Sequence, residues 1–480
     1  MANPPSTQLL ESLAQRLGPK GFTADRDDLA PWLEDWRGRY RGAAAAMLSP
    51  GSTEEVAEIV RICAEARVPL VPQGGNTSMV AGATPSPEGD ALLLSMRRMN
   101  RIRAVSETSS SAVCEAGVIL SALHDAAAEA GRRFPLSLGA KGSATIGGLV
   151  STNAGGTQVL RFGTMRSLVQ GIEAVLPDGS VFNGLVPLKK DNRGYDLRQL
   201  LIGAEGTLGI VTAANLKLVP AIGSRTVAWI GLASPEASLA LLRALESRLG
   251  DAVESFELVP EAALDLVLAH VGGTRAPLAG RHEWHVLVEV TAPAGAAAPE
   301  EALETALKGA LEQGLIEDAA LAASEAQAEA FWRIRDSISE AERKDGPAAK
   351  HDLSVDVAAM PRFMTDAAAA VESRFAGTSV IAFGHLGDGN VHFNVRAPAS
   401  GGAEWLVEDA PMVSAFVHDM VTAAGGSISA EHGIGQMRLA ELARLGDPAR
   451  LGAMRAIKQA LDPRGIMNPG KLVPPFDLAE

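Results

Sequence analysis

The stretch GAKGSATIGGLVSTNAGG, residues 139–156, decides how the first half of this chain folds. With Gly147, Gly148, Gly155 and Gly156 it makes a poor solvent-exposed helix. Glycines so placed let consecutive backbone N–H groups point into one concavity, where an anion binds without a cationic side chain. Two further stretches have the same character, PQGGNTS at 72–78 and GAEGTLG at 203–209. Asn76, Thr77, Ser143 and Thr145 add side-chain donors. Three such loops in one half of the chain point to a bound pyrophosphate. Neither a Walker A sequence nor a clean G-x-G-x-x-G follows a strand, which disfavours P-loop and Rossmann architectures. Of the 49 glycines, 20 fall between Gly74 and Gly209, so the excess is local and no low-complexity tract lies behind it.

Around these loops the pattern is mixed. Thr53–Arg67 has helical periodicity, with Val56, Ile59, Val60 and Cys63 on one face. Val68–Val71, Ala91–Ser95, Ala112–Glu115 and Leu208–Leu218 read as strands, and Ile119–Ala130 as a helix stopped by Gly131. Ile172–Leu176 and Val181–Leu185 answer each other across Pro177-Asp178-Gly179-Ser180 as a hairpin. From Arg225 onward, strand-like runs (Thr226–Leu232, Glu254–Leu258, Trp284–Val290, Val380–Phe383, Val391–Val395) alternate with long helical stretches. That predicts an α+β arrangement, one antiparallel sheet with helices on one side. Pro220–Ser224 is the expected boundary. Leu451–Leu461 reads as a helix, and Pro463, Pro469, Pro474 and Pro475 then stop regular structure.

Composition excludes several classes of function. Over 480 residues the formal net charge is −14 and aromatics make up 4%, which disfavours nucleic acid and anionic membrane surfaces as partners. Cys63 and Cys114 are the only cysteines, too few for a disulfide framework or a thiolate metal site. Met1–Leu10 has no basic n-region, and no apolar run reaches about 18 residues, so neither a signal peptide nor an integral membrane span is expected. The expected location is the cytoplasm.

The sharpest chemistry lies at residues 383–394, FGHLGDGNVHFN. Two strand-like runs flank a Gly-Asp-Gly-Asn turn, which brings His385 and His392 near each other, with His392 and Asn394 on one strand face. Asp388 is read as a turn residue rather than a ligand. Further on, Glu431 and His432 stand side by side in AEHGIG. Two imidazoles and one carboxylate suit Zn²⁺, Mn²⁺ or Fe²⁺ with open positions. A chelated α-hydroxy acid would gain a lowered hydroxyl pKa there. A neighbouring histidine could act as the base, and a two-electron cofactor could take the hydride. In FWRIRDSIS, residues 331–339, Arg335 and Ser339 are four apart on an expected helix, and Lys350 begins a strand. The three would suit a second carboxylate, although on pattern alone a solvated helix face with local ion pairs accounts for them better.

With these motifs assembled, the chain resembles the vanillyl-alcohol-oxidase/PCMH superfamily with an FAD-linked oxidase C-terminal domain. Within it the likeness is to the D-2-hydroxyglutarate dehydrogenase family. The motifs are PQGGNTS, GAKGSATIGGLVSTNAGG, KKDNRGYDLRQLLIGAEGTLGI, GHLGDGNVHFNV and AEHGIG, and the likeness runs from Trp36 to Leu472. It implies a PCMH-type FAD-binding domain at 1–222, with N-terminal helices over 1–40. A cap domain follows at 223–435, an antiparallel sheet covered by helices. A C-terminal helical segment at 436–480 returns to the flavin.

The resemblance also implies non-covalent FAD, since the first FAD loop has no His or Cys. Pro72, Gly74, Gly75, Asn76, Thr77, Ser78, Gly139, Ala140, Gly142, Ser143, Thr145, Ile146 and Gly148 would hold it. Asn153, Glu205, Gly209, Ile210 and Asn468 would line the rest. It implies His385, His392 and Glu431 as metal ligands, zinc first, and His432 as the catalytic base. Arg335, Ser339, Lys350 and Asn394 become substrate-binding residues, which reverses the pattern-only reading. Two positions depart from the family pattern. Ser78 replaces a frequent Gly, and His351 sits where an aromatic is common, a change that bears on substrate choice.

The implied reaction is oxidation of a D-2-hydroxy acid, D-2-hydroxyglutarate to 2-oxoglutarate, by His-assisted deprotonation and hydride transfer to flavin. A D-lactate dehydrogenase or glycolate-oxidase-type subunit is the alternative within the family. A transferase on the same fold and a flavin-binding subunit without turnover stand further off. An electron-transfer flavoprotein or a quinone is the expected acceptor, no NAD-type fingerprint being present, and a homodimer is left open.

Overall fold

The structure is a computed structural model and describes residues 4–475. The chain divides into two compact units. The first holds the residues up to Gly156, Gly163–Pro220 and the chain from Glu431 on, and the second holds Thr157–Phe162 and Ala221–Ala430.

In the first unit, helix Thr53–Ala66 starts at Ser52, whose hydroxyl accepts from the Glu55 N–H, and has Glu54 and Glu55 in its first turn. Both features stabilise a helix N-terminus. Arg67 ends it in the left-handed region at φ 56°. The face carrying Val56, Ile59, Val60 and Cys63 is fully buried against Leu48, Leu70, Leu92 and Leu94. Those leucines belong to a four-stranded sheet ordered Phe22–Thr23, Met47–Leu48, Leu92–Ser95, Leu70–Gln73. Its last three strands are parallel. A five-stranded antiparallel sheet follows, ordered Ile102–Ser106, Ser111–Glu115, Ile210–Lys217, Val169–Val175, Val181–Gly184. The hairpin closes at Val175 opposite Val181, with Gly179 at φ 81° and the Asp178 carboxylate accepting from the Ser180 N–H at 2.9 Å.

Ile146–Thr152 is a helix, and as its glycines require it is largely buried, with Ile146, Gly147, Leu149 and Val150 inside. Gly147 is buried against Ala116, where an added Cβ would stand 2.6 Å from the alanine methyl. Glycine costs helix stability, but here it is the residue that permits the close packing.

The second unit is one seven-stranded antiparallel sheet. Its order is Asp318–Leu321, Ile222–Leu232, Trp284–Pro293, Val253–Pro260, Ser379–His385, Asn390–Arg396, Ala348–Ser354. Val227, Trp229, Leu287, Val259, Ile381 and Phe383 pack on helices Glu261–His270, Glu325–Asp336 and Ile338–Asp345. The expectation of helices on one side alone is corrected here. His285–Ala292 are buried at every position, and successive strand residues point to opposite faces, so both faces are covered. Helices Pro235–Leu249 and Met360–Arg374 also pack on strands Val253–Pro260 and Ser379–His385. The expected helix through residues 331–339 is also broken. Ser337 separates Glu325–Asp336 from Ile338–Asp345, so Arg335 and Ser339 lie on different helices. No helix among the described residues is long and apolar enough to cross a membrane.

Candidate active site

The first unit contains a cavity of about 450 Å³, within the range of small-molecule and cofactor sites. Its wall comes from the glycine loops, with Pro72, Gly74, Gly75, Asn76, Thr77, Ser78, Gly139, Ala140, Thr145, Gly148, Glu205, Gly209 and Ile210 all on it. Glu431 and His432 also line it. Two glycines are required by close approach. An added Cβ at Gly75 would stand 1.8 Å from the Ser143 carbonyl oxygen, and one at Gly74 would stand 2.1 Å from the Thr145 hydroxyl. Thr145 Oγ1 is buried and has no hydrogen-bond partner among the described residues. A cradle from which side chains are excluded, with an unmet buried donor on its wall, fits a phosphate-bearing cofactor.

Gly75→Ala should push the two loops apart. Overpacking of this kind costs about 1–3 kcal/mol, so FAD binding is expected to weaken by about 10- to 100-fold. A fluorescence titration of the apoprotein with FAD measures this directly.

Several residues expected on the cofactor have other partners. The Asn153 side-chain Oδ1 accepts from Thr164 Oγ1 and the Arg166 N–H, both at 2.9 Å. Asn76 Nδ2 donates to the Glu34 carbonyl at 2.9 Å. The Ser78 hydroxyl accepts from the Gly82 N–H at 3.0 Å, so the departure from glycine stabilises its own turn. Ser143 meets the first loop through its carbonyl at Gly75. Ile146 is fully buried, while Gly142 has open space around its α-carbon. Asn468 Nδ2 donates to the carbonyls of Glu205 at 2.7 Å and Gly82 at 3.0 Å, tying two loops together.

Glu205 has a role the sequence did not indicate. Its carboxylate accepts from the N–H groups of Ile434 and Gly435, both at 2.8 Å. It thereby fastens the turn that follows Glu431-His432. Gly433 and Gly435 have φ 78° and 52°, and a Cβ on Gly433 would stand 2.7 Å from Glu205 Oε1. Burial raises the Glu205 pKa, and these two N–H bonds together with the Arg438 charge offset part of that rise.

In the second unit, one face of the sheet gathers the remaining chemistry. Phe383 lies opposite His392, and His385 is two residues on from Phe383, so all three share a face. The rings of His385 and His392 meet edge to face with centroids 5.5 Å apart. Asp388 Oδ1 accepts from the Asn390 N–H at 3.0 Å, which is turn chemistry, and burial raises its pKa. Lys350 pairs with Asn394, and Asp352 with His392, in the neighbouring strand. Ala430 donates its N–H to the Asp352 carbonyl at 3.2 Å, and the chain then continues into Glu431.

Two buried glutamates that the sequence reading missed hold this set together. Glu257, wholly buried, accepts from His385 Nδ1 at 2.6 Å and from Arg335 Nε at 2.7 Å. Burial alone would raise its pKa, but His385 and Arg335 beside it prevail and hold it at about 2. Glu342, 1% exposed, accepts from Asn394 Nδ2 at 2.8 and 3.0 Å and from Lys350 Nζ at 3.0 Å. Ser339 is exposed, and its carbonyl lies 3.4 Å from Lys350 Nζ. His351 points to the other face, where its ring nitrogens meet the Phe393 carbonyl at 2.8 Å and Ser414 Oγ at 2.9 Å. It is a core residue, which removes the reason to link it to substrate choice. A carboxylate inside an otherwise strand-like run (VESFELVP) was the available signal for Glu257, whereas Glu342 sits in a polar helix that offers none.

Comparison with known proteins places this geometry. Residues 223–472 match the C-terminal domain of FAD linked oxidases, and residues 44–184 match an FAD binding domain. The class is therefore that of FAD-binding oxidoreductases. The chain is 39% identical over 459 residues to the mitochondrial D-2-hydroxyglutarate dehydrogenase of Arabidopsis thaliana, covering 95% of this chain and 80% of that protein. It is 36% identical to the D-2-hydroxyglutarate dehydrogenase of Xanthomonas citri pv. viticola, over 97% of each chain. Among solved structures, substrate-bound p-cresol methylhydroxylase superimposes with a TM-score of 0.71 over 99% of each chain at 14% identity, a likeness of fold. The chain belongs to the D-2-hydroxyglutarate dehydrogenase family of FAD-linked oxidases.

Proposed function

We propose that this chain oxidises D-2-hydroxyglutarate to 2-oxoglutarate with FAD bound non-covalently in the glycine-lined cavity. The observation that carries the reading is His432, an imidazole on the wall of that cavity, in a chain whose relatives are named for this reaction. When bound, FAD takes the two electrons of the alcohol-to-ketone oxidation. His432 takes the hydroxyl proton on an imidazole nitrogen, which has a lone pair to accept it. The Glu205 carboxylate holds the turn after it in place. His385, His392 and Glu431 are the donor set for a divalent cation, zinc first, which would supply positive charge to the α-hydroxy-carboxylate. Arg335 and Lys350 would hold the distal carboxylate, with Asn394 beside them. The absence of an NAD-type fingerprint supports an electron-transfer flavoprotein or a quinone as acceptor.

One observation favours a second reading, a D-lactate or glycolate enzyme of the same family. Arg335 and Lys350 are each already paired with a buried glutamate, which lowers their attraction for a second carboxylate. A panel of D-2-hydroxy acids tests the two readings. A hydrogen bond to a charged group contributes about 1.5–3 kcal/mol, so kcat/KM should favour D-2-hydroxyglutarate over D-lactate by about 10- to 100-fold. Arg335→Lys, which keeps a cation beside Glu257 but loses the fork, should erode that preference by lowering kcat/KM for D-2-hydroxyglutarate more than for D-lactate. Faster turnover of D-lactate or glycolate by the unmodified enzyme would select the second reading.

A further inference from the structure

Glu257 lies directly opposite His385 across neighbouring strands, and each of its carboxylate oxygens faces one partner, His385 or Arg335. Oε1 takes the His385 bond at 2.6 Å, and Oε2 takes Arg335 Nε and a terminal guanidinium nitrogen, both at 2.7 Å. The guanidinium also lies over the Phe383 ring, 4.9 Å from its centroid, so packing holds it in place as well. An arginine has no lone pair and keeps its protons, so Oε2 is committed as an acceptor. An ionised carboxylate can only accept, so Nδ1 of His385 carries the hydrogen and the ring's lone pair is on Nε2.

We infer that Glu257 is a positioning residue for the metal centre: it fixes His385 in the tautomer and orientation a cation needs, and it shares one carboxylate between that ligand and Arg335. Glu257 need not touch the cation to do this. A carboxylate behind a histidine makes the ring a better and better-aimed ligand. Arg335 is then the counter-charge that keeps Glu257 ionised in a fully buried position, where an unpaired carboxylate would be strongly unfavourable. The inference rests on the metal reading proposed above for His385, His392 and Glu431.

A glutamine at 257 offers one acceptor and one donor where the structure needs two acceptors. Arg335 cannot accept, so the amide oxygen turns to Arg335 and the amide NH₂ faces His385. Nδ1 must then accept, and the ring proton moves to Nε2, the nitrogen the cation requires. In Glu257→Gln the dissociation constant for Zn²⁺, measured on metal-free protein by competition with a chromogenic chelator, should rise about 10- to 100-fold with flavin content unchanged.

Adding Arg335→Met frees the amide oxygen to turn back to the Nδ1–H, so the E257Q/R335M protein should recover most of the lost affinity. A purely structural role would not be rescued in this way. The pair E257L/R335M and E257Q/R335M keeps the test independent of whether the single variant folds. The first removes the residue-257 acceptor from His385 Nδ1 and should bind Zn²⁺ about 10- to 100-fold more weakly than the second. Equal affinity in the two double variants, or in Glu257→Gln and the unmodified protein, would overturn the inference. Failure of the unmodified protein to take up Zn²⁺ would overturn the metal reading beneath it.

Discussion

Replacing His432 with alanine is expected to lower kcat by about 10²–10⁴, the range for loss of a general acid–base group, while the protein keeps its FAD. The two parts of this expectation have separate grounds. Retention of FAD follows because the glycine loops at 72–78 and 139–148 form a large part of the cavity wall and do not involve His432. The loss of turnover follows from the position of His432. It lies on that wall, followed by a turn whose Ile434 and Gly435 N–H groups are both held by the buried Glu205 carboxylate. The measurement is single-turnover bleaching of the flavin band under anaerobic conditions, which separates reduction by substrate from reoxidation. A drop smaller than about tenfold in the bleaching rate would assign the proton to another base. Loss of the flavin itself would show that His432 serves the cavity rather than the reaction.

How far the sequence could be read depended on whether the relevant force was local. Helix Thr53–Ala66 could be read because its apolar period lies within one window. The turn at Gly387–Asn390 could be read for the same reason. With the strands on either side it brings His385 and His392 together, and the rings do meet. Ile146–Thr152 could not be read, because Gly147 and Gly148 count against a helix until Ala116 is known to lie against Gly147. The break at Ser337 was hidden by an unbroken helical pattern on both sides of it. Glu257 and its partners illustrate the general difficulty. The carboxylate meets Arg335 across 78 positions and His385 across 128, and no periodicity reports a contact of that length. The residue types at the site were legible, but the charges that neutralise them were not.

Those hidden charges sharpen the second large expectation, which concerns the metal. Removing divalent cations with a chelator should lower turnover by about 10²–10⁴, corresponding to several kcal/mol of lost charge stabilisation, without displacing FAD. The argument is one of charge balance. A 2-hydroxy dicarboxylate is a dianion, and a protein of net charge −14 gives it no long-range attraction. Arg335 and Lys350 are the cations assigned to its distal end, yet each already faces a buried glutamate, Glu257 and Glu342. Each pair is formally neutral, so neither leaves an uncompensated positive charge for the α-carboxylate and hydroxyl. A divalent ion on His385, His392 and Glu431 would be the largest uncompensated positive charge available to the substrate. On this proposal, without it the hydroxyl would keep its ordinary high pKa and His432 would lack an adequate driving force to remove the proton. The test is dialysis against chelator, metal analysis of the product, a visible spectrum to verify the flavin, and then turnover before and after Zn²⁺ is returned. Full activity in protein shown to be metal-free would refute the charge argument. It would also require Arg335 and Lys350 to leave their glutamates when the substrate arrives, which the Arg335→Lys preference measurement would then detect.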